Sequence, residues 1–397
     1  MPIRSLDALL DAEELDGARV FVRADLNVPL TPSGAIADTS RIEASLPTLR
    51  RLLGAGARII LASHLGRPKG QRNPALSLAI VAETLATRLD GPVHFSEQCV
   101  GEEVEAAVAR LDKGEVLLLE NLRFHAAETE NEPHFARALA NLADIYVNDA
   151  FGTAHRAHAS TAGMVQYVPR MAAGALLQSE LDALRSALEP ERPFVCFLGG
   201  AKVSDKLGVL EALIERAETI GVGGAMAYTF LAARGDNVGA SLVELDRFDD
   251  ARRMMRRAEK CGCELLLPSD HVVSDRVEEG APASIVETIP DASIGVDIGP
   301  QTTARYAEAA AHARTILWNG PMGVFEIDAF AVGTEGLARA VARSPARSIV
   351  GGGDSLAAVH KVGVGNHIDH LSTGGGASLE FVQGLRLPGV AALDRPA

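Results

Sequence analysis

Five basic residues, Arg41, His64, Arg67, Arg123 and Arg156, stand in or beside short polar segments of the first half of the chain. An arginine presents a planar fork of donors that matches a phosphate or carboxylate two bonds at a time. One alone is an ordinary solvated charge. Several around one cleft imply a ligand with two or more negative groups. Asp25 and Asn27, two apart on one extended segment, point the same way. They either hydrogen-bond a hydroxyl or carboxylate of that ligand or form an Asx-turn leading into Pro29. His155-Arg156-Ala157-His158 has the spacing of two metal ligands on a helix. It brings no nearby carboxylate or third ligand with it, so anion binding by Arg156 is the stronger reading.

The second half offers a different chemistry. Gly199-Gly200-Ala201-Lys202-Val203-Ser204-Asp205-Lys206 follows an apolar run and is expected to open a helix, with its two lysines four apart on one face. The Gly-x4-Gly-Lys-Ser/Thr spacing of a P-loop is absent, yet the physics is related: glycines let backbone approach an anion and lysines neutralise it. Plain surface lysines are the alternative. Gly351-Gly352-Gly353-Asp354-Ser355 and Thr373-Gly374-Gly375-Gly376-Ala377-Ser378 each precede a helix-compatible stretch. Three successive glycines cost conformational entropy, which argues against mere spacers, and helix N-termini bind phosphate oxygens. Asp354 is a natural Mg²⁺ ligand beside a nucleotide. Glu326, after Trp318-Asn319-Gly320-Pro321-Met322-Gly323-Val324-Phe325, is placed to accept from a ribose hydroxyl.

These groups need strands to position them. Short apolar runs predict strands at Arg19-Ala24, Arg58-Ala62, Glu115-Leu119, Ile145-Val147, Phe194-Leu198, Thr219-Val222, Glu264-Leu267, Thr315-Trp318 and Ser348-Val350. Between them, stretches such as Leu76-Leu89, Phe135-Leu142, Leu207-Ala217 and Phe248-Lys260 carry helical periodicity. The expected fold class is α/β, two Rossmann-like domains, each a mostly parallel sheet with helices on both faces, joined by a hinge helix. In such sheets the ligand crevice lies beyond the carboxyl ends of the strands, where the polar segments stand. Residues 1–172 form the expected first domain, 173–188 the connecting helix and 189–377 the second domain.

Composition narrows the classes of function. The 397 residues are 47% hydrophobic and 23% charged, an ordinary globular balance that excludes disorder as the dominant state. The formal charge of −14 disfavours nucleic acid and anionic membranes as partners. Met1 to Gly17 is acidic and shows no secretory signal or transit peptide, and no apolar run approaches a membrane span of ~18 residues. Four cysteines fit a reducing cytoplasm, and Cys261-Gly262-Cys263 lacks the second ligand pair of a zinc site.

The chain resembles the phosphoglycerate kinases nearly end to end. The carrying segments are Arg23-Ala-Asp-Leu-Asn-Val-Pro29, His64-Leu-Gly-Arg-Pro68, Leu119-Glu-Asn-Leu-Arg-Phe-His125, Asn148-Asp-Ala-Phe-Gly152 with Arg156, Gly199 to Lys206, Trp318 to Glu326, Gly351 to Asp354 and Ser372 to Ser378. Ala225 stands where a third glycine is common, and Ser269 where an apolar residue usually precedes Asp270. The resemblance implies reversible phosphoryl transfer between 1,3-bisphosphoglycerate and ADP, giving 3-phosphoglycerate and ATP, with Mg²⁺, in a cytoplasmic monomer. It implies that Asp25, Asn27, Arg41, His64, Leu65, Gly66, Arg67, Arg123 and Arg156 hold the phosphoglycerate. Lys206, Gly295, Asn319, Glu326, Gly352, Gly353, Asp354 and Ser355 would hold the nucleotide, with Asp354 on the metal. Arg41, Lys202, Lys206, Gly352 and Gly375 would serve the transfer itself, and the tail 378–397 would pack back on the first domain. Two other classes compete with it. A non-catalytic two-domain anion-binding protein has no use for Asp354 with two lysines. A nicotinamide-dependent dehydrogenase would place Gly-x-Gly-x-x-Gly after the first strand, where Asp25-Leu26-Asn27 stands instead.

Overall fold

In the computed structural model, which describes residues 3–12 and 14–394, the first strand has two chemically distinct faces. Strand β1 (Arg19–Ala24) turns Val20, Val22 and Ala24 into an apolar core with Leu46 and Leu49 of the Ser40–Gly54 helix. Its other face carries Phe21, stacked on Tyr146, and the fully buried Arg23. Around β1 the chain adds β2 (Arg58–Ala62), β3 (Val93–Ser96), β4 (Val116–Leu119), β5 (Ile145–Asp149) and β6 (Arg170–Ala173). All are parallel, in the order β3-β4-β2-β1-β5-β6.

The second sheet runs β15-β14-β13-β7-β8-β9 and is parallel throughout. Its strands are β7 (Phe194–Leu198), β8 (Thr219–Val222), β9 (Glu264–Leu266), β13 (Thr315–Asn319), β14 (Arg347–Gly351) and β15 (His370–Ser372). Val195, Phe197, Ile316, Trp318 and Val350 pack beneath Leu337 and Val341 of the Val332–Arg343 helix. The Tyr306 hydroxyl shares its one proton between the carbonyls of Val222 (2.7 Å) and Leu266 (2.9 Å), satisfying a buried polar group at the sheet edge. The α/β reading of two parallel sheets therefore holds. The sequence periods did not announce a separate antiparallel sheet of β10 (His271–Ser274), β11 (Ser284–Val286) and β12 (Ile294–Ile298), in the order β11-β10-β12.

The chain divides into two compact units, Met1–Leu181 with Arg386–Ala397, and Asp182–Leu385. The division falls inside the Ala175–Leu188 helix. That helix is anchored in the first unit by Asp149, at the end of β5, whose Oδ1 accepts from the amides of Leu176 (2.9 Å) and Leu177 (3.2 Å). Asp297 does the same for the Val332–Arg343 helix, accepting from the Gly333 amide at 2.6 Å and from its neighbour Ile298 at 2.9 Å. Burial pushes the Asp149 carboxyl up to about 6 and that of Asp297 up to about 7.

A carboxyl raised on folding keeps a proton that the unfolded chain has released, so its contribution to stability falls as pH rises from about 4 to 7, at about 1.4 kcal/mol per pH unit at most. His64 and His158, held below their ordinary range by burial, act in the opposite direction below pH ~6.5. The informative quantity is thus the difference between parent and Asp297→Asn. Urea unfolding at pH 5 and pH 8 should show the parent losing stability relative to the variant at the higher pH. A constant difference would show that Asp297 titrates alike in both states.

Candidate active site

In the first unit the predicted residues meet at the carboxyl ends of β1, β2, β4 and β5. The Leu26 amide donates to Ser63 Oγ (2.8 Å) and the Gly66 amide to Asn27 Oδ1 (2.7 Å), which locks the post-β1 and post-β2 segments together. Arg41, in the first turn of the Ser40–Gly54 helix, is ion-paired with Asp25. The Asn27 amide also lies 3.4 Å from Asp25 Oδ1, a weak form of the Asx contact. Arg123 donates to the Gly66 carbonyl at 2.9 Å, while its buried Nε has no partner. A cavity of about 390 Å³ is lined by Arg67, Lys69, Arg123 and Arg156 against one carboxylate, Glu130. The arginines chosen from the sequence thus share one wall, apart from Arg41, which the Asp25 pair holds nearby in the same network.

The electrostatics of this wall are those of an unsatisfied cationic site. Burial, with Arg23 and Arg156 adding to it, brings Arg123 down to about 10, so it stays charged at neutral pH. Buried His64 is pushed well below its usual range, first by desolvation and then by Arg23, Arg123 and Arg41. Burial, then Arg123, Arg23 and Arg156, take His158 down to about 4. Both imidazoles are neutral at pH 7, and an anion brought among these groups relieves their mutual repulsion. The His155 to His158 segment lies in a turn rather than on a helix. No group of three His, Cys, Asp or Glu able to hold a metal ion occurs among the described residues.

In the second unit the strand order reverses between β7 and β13, the place where doubly wound sheets open a crevice. Backbone meets backbone there. The Gly199 amide donates to the Asn319 carbonyl at 3.0 Å, and a Cβ on either Gly199 or Gly320 would strike the other strand's main chain. Asn319 ties the cluster together, accepting from Lys206 Nζ and donating to the Gly351 carbonyl at 2.8 Å. The Gly353–Val362 helix begins beside it, with Gly352 in the left-handed region (φ +94°) and Ser355 Oγ accepting from the Gly320 amide at 2.6 Å. Burial lowers Lys206 to about 8, partly offset by Asp205 and Asp354.

The expectation of two lysines on one helix face is corrected by the structure. Residues 199–206 form a loop and the helix starts only at Leu207, leaving Lys202 exposed and Lys206 half-buried. Ser204 is responsible, because its amide and hydroxyl both bond Glu244 (3.0 and 2.6 Å) and hold the segment out of helical geometry. Glu326 is exposed on the loop after β13, and Gly375 caps the Gly376–Val382 helix with φ +53°. Gly295 lies in β12, where a Cβ would run into the Tyr228 ring, so packing already requires a glycine there. Ala225 falls in the first turn of the Gly224–Arg234 helix, and Ser269 lines another cavity, with Arg234 and His271.

The family model described as phosphoglycerate kinase matches residues 10–385. The chain belongs to the phosphoglycerate kinase family. It is 55% identical over 383 residues to the phosphoglycerate kinase of Moorella thermoacetica, covering 96% of this chain and 97% of that one. It is 52% identical over 396 residues to that of Synechococcus elongatus, covering 98% of each. The phosphoglycerate kinase of Coxiella burnetii superposes with a TM-score of 0.88 at 42% identity, over 99% of both chains. Membership in this kinase family covers both units, so the cationic wall and the Lys206–Asn319 cluster belong to one kinase chain. Sequence reasoning passed over Lys69, which lines the same cavity as the arginines, and Arg23, buried beside His64. A charged residue inside the apolar run of β1 was the available signal, since a buried guanidinium must have partners.

Proposed function

We propose that the chain catalyses reversible phosphoryl transfer between 1,3-bisphosphoglycerate and ADP, with the carboxyl group of 3-phosphoglycerate as acceptor in the direction of ATP use. The observation that carries this reading is the pairing, within one chain of this family, of a cationic wall at the strand ends of one unit with a glycine-flanked lysine cluster at those of the other. Asp25, Asn27, Arg41, His64, Leu65, Gly66, Arg67, Arg123 and Arg156 take the phosphoglycerate. Lys206, Gly295, Asn319, Glu326 and Gly352 to Ser355 take the nucleotide. Arg41, Lys202, Lys206 and the amides around Gly352 and Gly375 neutralise the moving charge.

A carboxylate nucleophile has a pKa near ~4 and is already ionised at neutral pH, so no general base is needed. The protein's task is to align two anions and screen the phosphoryl charge between them. Asp354, in the first turn of a helix whose first residue, Gly353, has open space where a Cβ would stand, suits a Mg²⁺ ion that takes one protein carboxylate and otherwise phosphate and water oxygens. Bound with the nucleotide, that ion would supply further neutralisation of phosphate charge. Transfer needs reacting atoms within about 3–3.5 Å, and we infer that hinge closure through the Ala175–Leu188 helix supplies that approach. Four free thiols support a cytoplasmic setting and the acidic net charge disfavours nucleic-acid and membrane partners, leaving small molecules as the ligands of a chain that we take to act as a monomer.

A coupled assay with 3-phosphoglycerate and MgATP tests the reading. Turnover that needs both substrates is expected. Binding of both ligands without turnover would identify a non-catalytic anion-binding protein instead.

A further inference from the structure

Beneath the cationic wall of the first unit lies a fully buried carboxylate, Glu128, that no step of the transfer uses. Ser160 donates to it twice, through its amide to Oε2 (3.0 Å) and through its hydroxyl to Oε1 (2.6 Å). With its proton committed to Glu128, the Ser160 hydroxyl oxygen is left to accept, and Arg23 Nε donates to it at 2.9 Å. The same guanidinium bonds the Ala24 carbonyl and reaches His64 Nδ1 at 3.2 Å through Nη2. Glu128, Ser160, Arg23 and His64 thus form an unbroken chain of hydrogen bonds, all within one unit and all buried.

The direction of each bond is dictated by chemistry. A guanidinium has donors only, so His64 Nδ1 must accept, and the ring's single proton sits on Nε2. At the other end burial pushes the Glu128 carboxyl up while Arg23 and the two Ser160 bonds draw it back down; as a carboxylate it takes from Ser160 a charge-assisted bond, which is stronger than a neutral one and stiffens the bonds that follow it. The opposite arrangement, with Nδ1 protonated, would set two donors against each other at 3.2 Å.

We propose that Glu128, acting through Ser160 and Arg23, is a positioning residue that fixes His64 as a neutral Nε2–H donor in the ligand-free protein. Its use in holding phosphoglycerate rests on the function proposed above. The Glu128 carboxylate also counters the charge of Arg23 where neither can reach water, which is why the guanidinium can be buried behind the wall at all.

Ring-nitrogen NMR of ¹⁵N-histidine-labelled protein tests the assignment without any ligand. His64 of the parent should show protonated Nε2 and unprotonated Nδ1 at pH 7. In Ser160→Ala, which cuts the relay, the Nδ1–H form should appear, and KM for 3-phosphoglycerate should rise about tenfold, one hydrogen bond's worth, with KM for nucleotide unchanged. Glu128→Gln should move the same two readouts in the same direction. A parent His64 that carries its proton on Nδ1, or on both nitrogens, overturns the proposal even if neither variant folds. So does Ser160→Ala with the spectrum and KM of the parent. If the tautomer shifts as expected but 3-phosphoglycerate does not bind the parent, the relay stands and the substrate reading beneath it falls.

Discussion

Replacing Arg41 or Lys206 by alanine is expected to lower kcat by about 10²-fold or more, as removal of one preorganised donor from developing charge does. Both side chains are pre-positioned, Arg41 by its pair with Asp25 and Lys206 by Asn319. Their strongest interaction is therefore expected where charge moves, not where substrate first binds. Lys206 adds a pH signature. Since burial holds it at about 8, kcat/KM for nucleotide should fall as pH rises above ~8 in the parent, and that limb should vanish in Lys206→Ala. Steady-state kinetics decides the matter: a kcat within a few-fold of the parent, with only KM raised, would remove either residue from the transfer step.

Separation of the two half-sites is the second large effect. Arg67→Ala and Arg156→Ala should weaken 3-phosphoglycerate binding by roughly 10- to 100-fold each, the scale of a charge-assisted hydrogen bond, and leave MgADP binding nearly unchanged. Glu326→Ala and Asp354→Ala should do the reverse. The cavity that collects Arg67, Arg123 and Arg156 draws all its lining from residues 67–156, and the Lys206–Asn319–Ser355 cluster lies wholly within the second unit. Calorimetry on the binary complexes with the full-length chain is the check. Equal losses of both ligands in every variant would show that the sites are not divided in this way.

What could be read before any coordinates depended on how far each element is dictated locally. The interior strands β1, β2 and β7 carry apolar runs bounded by polar ends, and their limits fall on the predicted residues. Strands β3, β6 and β15 are three or four residues long and partly exposed, so they leave little pattern to detect. The helical stretch expected at Leu76-Leu89 is shorter, Ala79–Ala86, after a separate 3₁₀ turn that Asn73 caps through the Ala75 amide. The candidate site was legible where its residues stand in polar segments after strands. It was not legible where a distant partner decides, as with Ser204 drawn out of a helix by Glu244, or Arg23 buried by Ser160.

The first unit is completed by residues that follow the whole of the second in the chain. Gly389 donates to the Ala154 carbonyl at 2.8 Å and accepts from Asn148 Nδ2 at 3.3 Å, and a Cβ at Gly389 would press on Ala154. During synthesis these partners are separated by the time needed to make Asp182–Leu385, on the order of 10–40 s at ribosomal rates. Throughout that interval the nascent first unit lacks the segment that covers the post-β5 turn leading to Arg156. The cationic wall is thereby finished last, and a chain released early carries a wall with that turn uncovered. Translation order, and not only thermodynamics, sets when this polypeptide becomes competent.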